Sequence, residues 1–279
     1  MTEPVGPLVR ARDLSIRYPS RYPEHRALPV NGVTFDIPQG EILAVVGETG
    51  SGKSSLAATV AGRADTGELG APMIHGGSLR VLDYDIRGIT QRKRDKLTLR
   101  VGYLPQDASA SLAARLTIGE NVAEPIFSRD RRFDQTEAGQ AVATLIDAVR
   151  LPLSVMNRFP HELSRGQRQR IAIARALILE PVLLVADDPT SGIDVTVRGA
   201  ILDIIRDLQT DRAFSALLVT TDLDEMRRVT DQVMVMHRGV VVGHGQVDEV
   251  LADPRHPYVE GLSRSRASAP VRARSSVPR

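Results

Sequence analysis

The chain has 279 residues, 42% hydrophobic and 25% charged, with a formal net charge of +2. That length suits one large domain with a full core, while the balanced charge excludes a general nucleic-acid binder, and 4% aromatic residues with no Trp exclude base-stacking platforms. Cys is absent, which removes disulfides, cysteine zinc sites, thiol catalysis and cysteine-ligated iron–sulfur clusters, and fits a reducing cytoplasm.

No run reaches the roughly 18–20 apolar residues of a membrane span. The opening MTEPVGPLVRARD lacks the apolar stretch of a secretory signal. A soluble chain is expected, with any membrane role exerted through a partner.

In chain order, Leu14, Ile16 and Tyr18 alternate with Ser15 and Arg17, and Val33, Phe35 and Ile37 alternate with Thr34 and Asp36. Both stretches predict half-buried antiparallel strands. EILAVVG (41–47), PVLLVAD (181–187) and SALLVTT (215–221) are continuous apolar runs, as parallel strands buried on both faces require. Helical patterns lie between them, so the expected fold class is α/β. Val142, Leu145, Ile146 and Val149 follow i, i+3, i+4, i+7 spacing within a predicted helical insert from about 107 to 163. The last 17 residues carry five Arg, five Ser and two Pro, which predicts a disordered basic tail over 263–279. Contact with anionic lipid headgroups is the alternative role for that tail. The remainder, 1–262, reads as a single domain.

GETGSGKS fits G-x-x-x-x-G-K-[ST] between the strand EILAVV and the helical SSLAATVAG. Backbone N–H groups of such a loop turn inward around phosphates, and the helix N-terminus adds partial positive charge. Gly47, Glu48, Thr49, Gly50, Ser51, Gly52, Lys53, Ser54 and Ser55 are the expected phosphate-binding residues. Lys53 is expected at the β- and γ-phosphates and the Ser54 hydroxyl on Mg²⁺. Asp187 ends an apolar strand, where its carboxylate can stand beside Ser54 and hold the metal through water.

LSRGQRQRIAIARAL (163–177) resembles the signature helix of ABC-type ATPases, usually written LSGGQ. Other motifs follow in that family's order. Tyr18 in YPSR resembles the aromatic that stacks on adenine. Gln106 in YLPQD resembles the glutamine joining core and helical insert, a residue near metal and catalysis. SGID (191–194) resembles the loop that communicates across a dimer. Asp187 and Asp188 fill the two carboxylate positions. The resemblance covers about residues 8 to 262. It implies a RecA-like P-loop core with an N-terminal antiparallel β-subdomain, ATP and Mg²⁺ as ligands, and a head-to-tail ATPase dimer. In such a dimer Ser164, Gly166 and Gln167 cap the other chain's ATP.

QDASASL, TIGENVAEPI (117–126) and PRHPYVEGL (254–262) look like the ATPases of oligopeptide, dipeptide and nickel importers. That implies two permease subunits, an extracytoplasmic solute-binding protein acting indirectly, and a peripheral position on the cytoplasmic face of the membrane. HPYVEGL as a mere cap on the domain stays open, as do an exporter ATPase and a nucleotide clamp with little turnover.

Three residues depart from the family pattern. Asp188 stands where a glutamate polarises the attacking water, so its carboxylate retreats by roughly 1–1.5 Å, and a shift of about 1 Å can cost on the order of 10²-fold in rate. Thr221 stands where a histidine bridges the γ-phosphate and that carboxylate. Arg165 stands where the signature has Gly; it either points away or adds positive charge near the phosphate. Asp188 and Thr221 serve the same ATP, which suggests a chain that binds Mg-ATP, hydrolyses it poorly and pairs with a different, fully equipped ATPase. Asp188 acting as an adequate base is the alternative.

Overall fold

The computed structural model describes residues 6–19, 28–68 and 70–267, the side chains of 265–267 excepted. Val9, Ala11, Leu14 and Ile16 of β1 (Val9–Arg17) are buried, facing an antiparallel β2 (Val30–Ile37). The alternation of β1 slips at Asp13, where φ is 49° and its pairing shifts register toward both neighbours. With β4 (Met73–Val81) and β5 (Tyr84–Asp85) these strands form a sheet ordered β2-β1-β4-β5.

The continuous apolar runs build a second sheet. β3 (Ile42–Val46), β7 (Leu183–Asp187) and β8 (Ser215–Thr220) are buried along their whole length. They pair in parallel with β6 (Val101–Leu104) and β9 (Gln232–His237), and β10 (Val240–Gln246) closes one edge antiparallel, in the order β10-β9-β3-β8-β7-β6. Successive side chains point to opposite faces. Leu43, Val45, Leu183, Val185, Leu217 and Val219 therefore pack toward the antiparallel sheet, with α1 (Lys53–Val60) and Leu97 of α2 (Gln91–Arg100). Ile42, Ala44, Val46, Leu184, Ala186 and Leu218 pack toward the remaining helices.

On that second face lie α3 (Ile118–Phe127), α4 (Gln135–Ala148), α5 (Arg165–Leu177), α6 (Val195–Arg212) and the short α7 (Leu223–Met226). The Thr117–Glu120 capping box opens α3, and the Asp134 side chain caps α4. Val142, Leu145, Ile146 and Val149 are all buried, as their spacing requires. The outcome is the expected α/β architecture: a parallel core sheet, an antiparallel sheet on one side and a helical insert on the other. No described helix is long and apolar enough to cross a membrane.

After α8 (Val247–Ala252) the chain ends its described course in α9 (Pro257–Ala267). This corrects the expected start of the tail at 263. Ser263 Oγ donates to the Leu251 carbonyl at 3.1 Å, and Arg264 pairs with Glu260 one turn back at 3.5 Å, so the helix runs on. The rest of the predicted basic tail, from 268, lies outside the described residues, as do the last residues of YPSR.

Leu218 is fully buried on the middle strand β8. Leu218→Ala is expected to lower unfolding stability by about 2–5 kcal/mol, measured by urea denaturation. A loss below about 1 kcal/mol would contradict the packing described for that face.

Candidate functional site

The loop from Gly47 to Gly52 joins β3 to α1 and is wedged between two backbone segments. A Cβ on Gly52, where φ is 99°, would stand 1.7 Å from the Pro29 carbonyl oxygen, and one on Gly47 would stand 2.2 Å from that of Met236. Only glycine permits that seat. No side chain caps α1, so its first-turn amides remain directed at the loop. Lys53 is buried, and its Nζ donates to the carbonyls of Gly47 and Glu48, both at 2.7 Å, and to Ser51 Oγ at 3.2 Å. Burial lowers the Lys53 pKa, and the charges of Asp187, Asp188 and Glu48 oppose that shift. The ammonium therefore spans the loop on carbonyl contacts that an anion can replace.

Ser54 Oγ donates to Asp187 Oδ1 at 3.0 Å, joining the start of α1 to the end of β7. Asp187 is only 4% exposed. Burial raises its pKa, offset by the Ser54 hydrogen bond and by Lys53. Asp188 takes a left-handed backbone, φ 51°. Burial raises its pKa too, reinforced by the charges of Asp187 and Glu225 and opposed by Lys53 and Arg198. One cleft of about 230 Å³ is lined by Thr49, Gly50, Gly52, Lys53, Ser54, Ser55, Gln106, Asp187, Asp188 and Thr221. Gly47, Glu48 and Ser51 belong to the same loop, and the Tyr18 hydroxyl is 3.0 Å from Ser55 Oγ.

The Ser54 hydroxyl, the Asp187 carboxylate and the Gln106 amide on this cleft are hard oxygen donors, the kind Mg²⁺ takes. Among the described residues no cluster of three or more His, Cys, Asp or Glu forms a metal cage. The donor set thus fits a cation that shares its shell with phosphate oxygens and water rather than one held by protein alone.

Three residues that hold the turn after Asp188 escaped the sequence reading. Gln169 of α5, buried, donates from Nε2 to the Pro189 carbonyl at 2.8 Å. Glu225 of α7 accepts from Thr190 Oγ1 at 2.9 Å and from Arg198 at 3.1 Å, while Arg198 Nε donates to the Ile193 carbonyl at 2.8 Å. Gln169 did carry a signal: it falls on the same helical face as the buried Ala172 and Ile173.

Ser164, Gly166 and Gln167 are not on the Lys53 cleft. They line a separate cavity of about 520 Å³ with Arg150, Arg165 and Arg170. Ser164 Oγ accepts from Gln167 N at 3.2 Å and Gln167 Oε1 accepts from Ser164 N at 2.9 Å, a reciprocal cap on α5. The Arg165 guanidinium lies along the SGID turn of its own chain: a Cβ on Gly192 would come within 2.1 Å of Arg165 Nη2.

A family model described as ABC transporter matches residues 30–191. The oligopeptide transport ATP-binding protein OppF of Salmonella typhimurium is 36% identical over 233 residues, spanning 84% of this chain and 67% of OppF. OppD of Bacillus subtilis, also an oligopeptide transport ATP-binding protein, is 34% identical over 261 residues, spanning 91% of this chain and 70% of its own length. The glutathione import ATP-binding protein GsiA of Pectobacterium atrosepticum is 36% identical over 267 residues, 91% of this chain and 41% of GsiA. Among solved structures, the ATP-binding cassette MJ0796, a dimer in a post-hydrolysis state bound to ADP and Pi, shares the fold with a TM-score of 0.74 at 23% identity, covering 85% of this chain and 98% of that one.

The carboxylate shifts carry a pH signature. Asp188 has a folded pKa above its ordinary 3.8, so stability falls as pH climbs from the unfolded value through the raised one. Asp188→Asn is expected to raise the thermal midpoint of the nucleotide-free chain at neutral pH. The gain should vanish below about pH 4, where the carboxyl is protonated in both states. A pH-independent gain would mean that the charge of Asp188 is not what burial penalises.

Proposed function

The chain belongs to the ABC transporter family, and on that premise we propose that it is the ATP-binding and ATP-hydrolysing subunit of an importer of peptides or similar small solutes. It works at the cytoplasmic face of the cell membrane, beneath two permease subunits, with cargo delivered by an extracytoplasmic solute-binding protein. The observation that carries the reading is the convergence of Lys53, Ser54, Asp187, Asp188 and Gln106 on one cleft, in a chain about a third identical to oligopeptide transport ATP-binding proteins.

In this reading Lys53 and the first amides of α1 hold the β- and γ-phosphates. Tyr18 lies under the adenine, close to Ser55. Ser54 and Asp187 would hold Mg²⁺, with Gln106 nearby; when bound, the ion supplies neutralisation of phosphate charge. Asp188 orients the attacking water, fixed by the turn that Gln169, Arg198 and Glu225 brace. Ser164, Gly166 and Gln167 sit on a cavity apart from that cleft, which supports a head-to-tail pair in which each α5 caps the partner's nucleotide. A groove of about 660 Å³ between the core and the helical insert, bordered by Arg63, Tyr103, Pro105, Glu124 and Arg175, supports permease docking on that side.

Asp188 and Thr221 border the same cleft as Lys53. Both departures from the family pattern thus fall on one nucleotide, which supports poor hydrolysis at this site and a second, different ATPase subunit whose competent site this chain's α5 completes. One observation favours Asp188 as a working base: burial raises its pKa and so its basicity.

The two readings separate on Asp188→Glu combined with Thr221→His, assayed for ATP turnover in the complex purified from its own membranes. Restored reach is expected to raise turnover at the Lys53 site on the order of 10²-fold. Turnover no faster than wild type would sink the impaired-site reading. Lys53→Ala is expected to abolish Mg-ATP binding by this chain, measured by calorimetry, and retained binding would sink the nucleotide assignment itself.

A further inference from the structure

Besides the Pro29 carbonyl at Gly52, the phosphate loop is braced by chain beyond residue 191, past the segment the family model matches. At the tip of the β9–β10 hairpin, Gly239 N donates to the Ser51 carbonyl at 3.1 Å. The Met236 carbonyl lies against Gly47, at the 2.2 Å approach that forbids a Cβ. His237 Nδ1 stands 3.0 Å from Glu48 Oε1. No hydrogen bond of regular geometry satisfies that buried nitrogen, which leaves the Glu48 carboxylate as the group it faces.

His237 is itself pinned by the HPY segment at the start of α9. Its ring stacks on Tyr258, centroids 4.8 Å apart and planes 23° from parallel, and lies 5.3 Å from the ring of His256. His256 Nδ1 accepts from Tyr258 N at 3.1 Å, fixing the first turn of α9. Val259, 1% exposed, anchors that helix in the core. Tyr258 also lies against Glu48: burial raises its phenol pKa, the Glu48 carboxylate adds to that, and a hydrogen bond with the Glu48 backbone opposes it.

We propose that His237 and Tyr258 are positioning residues for the nucleotide site, through which α9 sets the phosphate loop by way of Glu48. The proposal rests on the reading of the Lys53 cleft as the nucleotide site. Glu48 is the pivot, because its carboxylate meets His237 while its carbonyl is one of the two that hold the Lys53 ammonium. The Glu48 side chain is 48% exposed, so without His237 little else confines it. A loop ordered before the nucleotide arrives loses less freedom on binding, which shows as affinity. Linkage is reciprocal, so nucleotide in the cleft tightens the seat of α9 in return.

The test is Mg-ATP affinity of the full chain by calorimetry, with thermal midpoints measured alongside without nucleotide. His237→Phe keeps the stack on Tyr258 and removes the ring nitrogen; Glu48→Ala removes the carboxylate; Tyr258→Ala removes the ring beneath His237. Each is expected to weaken Mg-ATP binding about tenfold, and His237→Phe with Glu48→Ala no more than either alone, because they break one contact. Thermal midpoints of His237→Phe and Glu48→Ala are expected to stay near wild type, which separates positioning from general destabilisation. Unchanged affinity in His237→Phe or Tyr258→Ala, or additive losses in the double variant, overturns the proposal. Lys53→Ala run beside them keeps the two readings apart: if it abolishes binding while the others do nothing, only the positioning proposal fails.

Discussion

Parallel strands end on one edge, and this constraint brings the site together. β3, β8 and β7 lie side by side, with β6 next to β7, so the segments leaving their carboxyl ends emerge at the same rim. The phosphate loop follows β3, Thr221 follows β8, Asp188 follows β7, and Gln106 comes just after β6. The hydrogen bond from Ser54 to Asp187 joins residues 133 positions apart because that rim leaves them as neighbours.

Gathering these groups has an electrostatic cost. Burial penalises the charged forms of Lys53, Asp187 and Asp188; the attraction of each carboxylate to Lys53 opposes that penalty, and the repulsion of Asp188 by Asp187 adds to it. The loop compensates locally by turning two carbonyls onto the ammonium. Those two bonds, each 2.7 Å from an ionised donor, are charge-assisted and tie the loop to its own lysine.

Much of this was legible in the sequence because it rests on local rules. Apolar runs without alternation marked the doubly buried strands, alternation marked β1 and β2, and the glycine spacing marked the phosphate loop. What was not legible depends on packing across distance. Gln169, Arg198 and Glu225 meet the turn after Asp188 only because α5, α6 and α7 pack on one face of the sheet. His237 reaches Glu48 because β9 pairs with β3 in parallel, Val235 opposite Val46. The run of α9 past 262 was not legible because Ser and Arg in SRSRA carry a coil-like composition, while Ser263 hydrogen-bonds back to α8.

The left-handed backbone at Asp188 adds a tension of its own. Short polar side chains tolerate that conformation better than longer ones. A glutamate at residue 188 would meet a larger backbone cost than aspartate at the same φ of 51°, so backbone ease and carboxylate reach pull this one position in opposite directions.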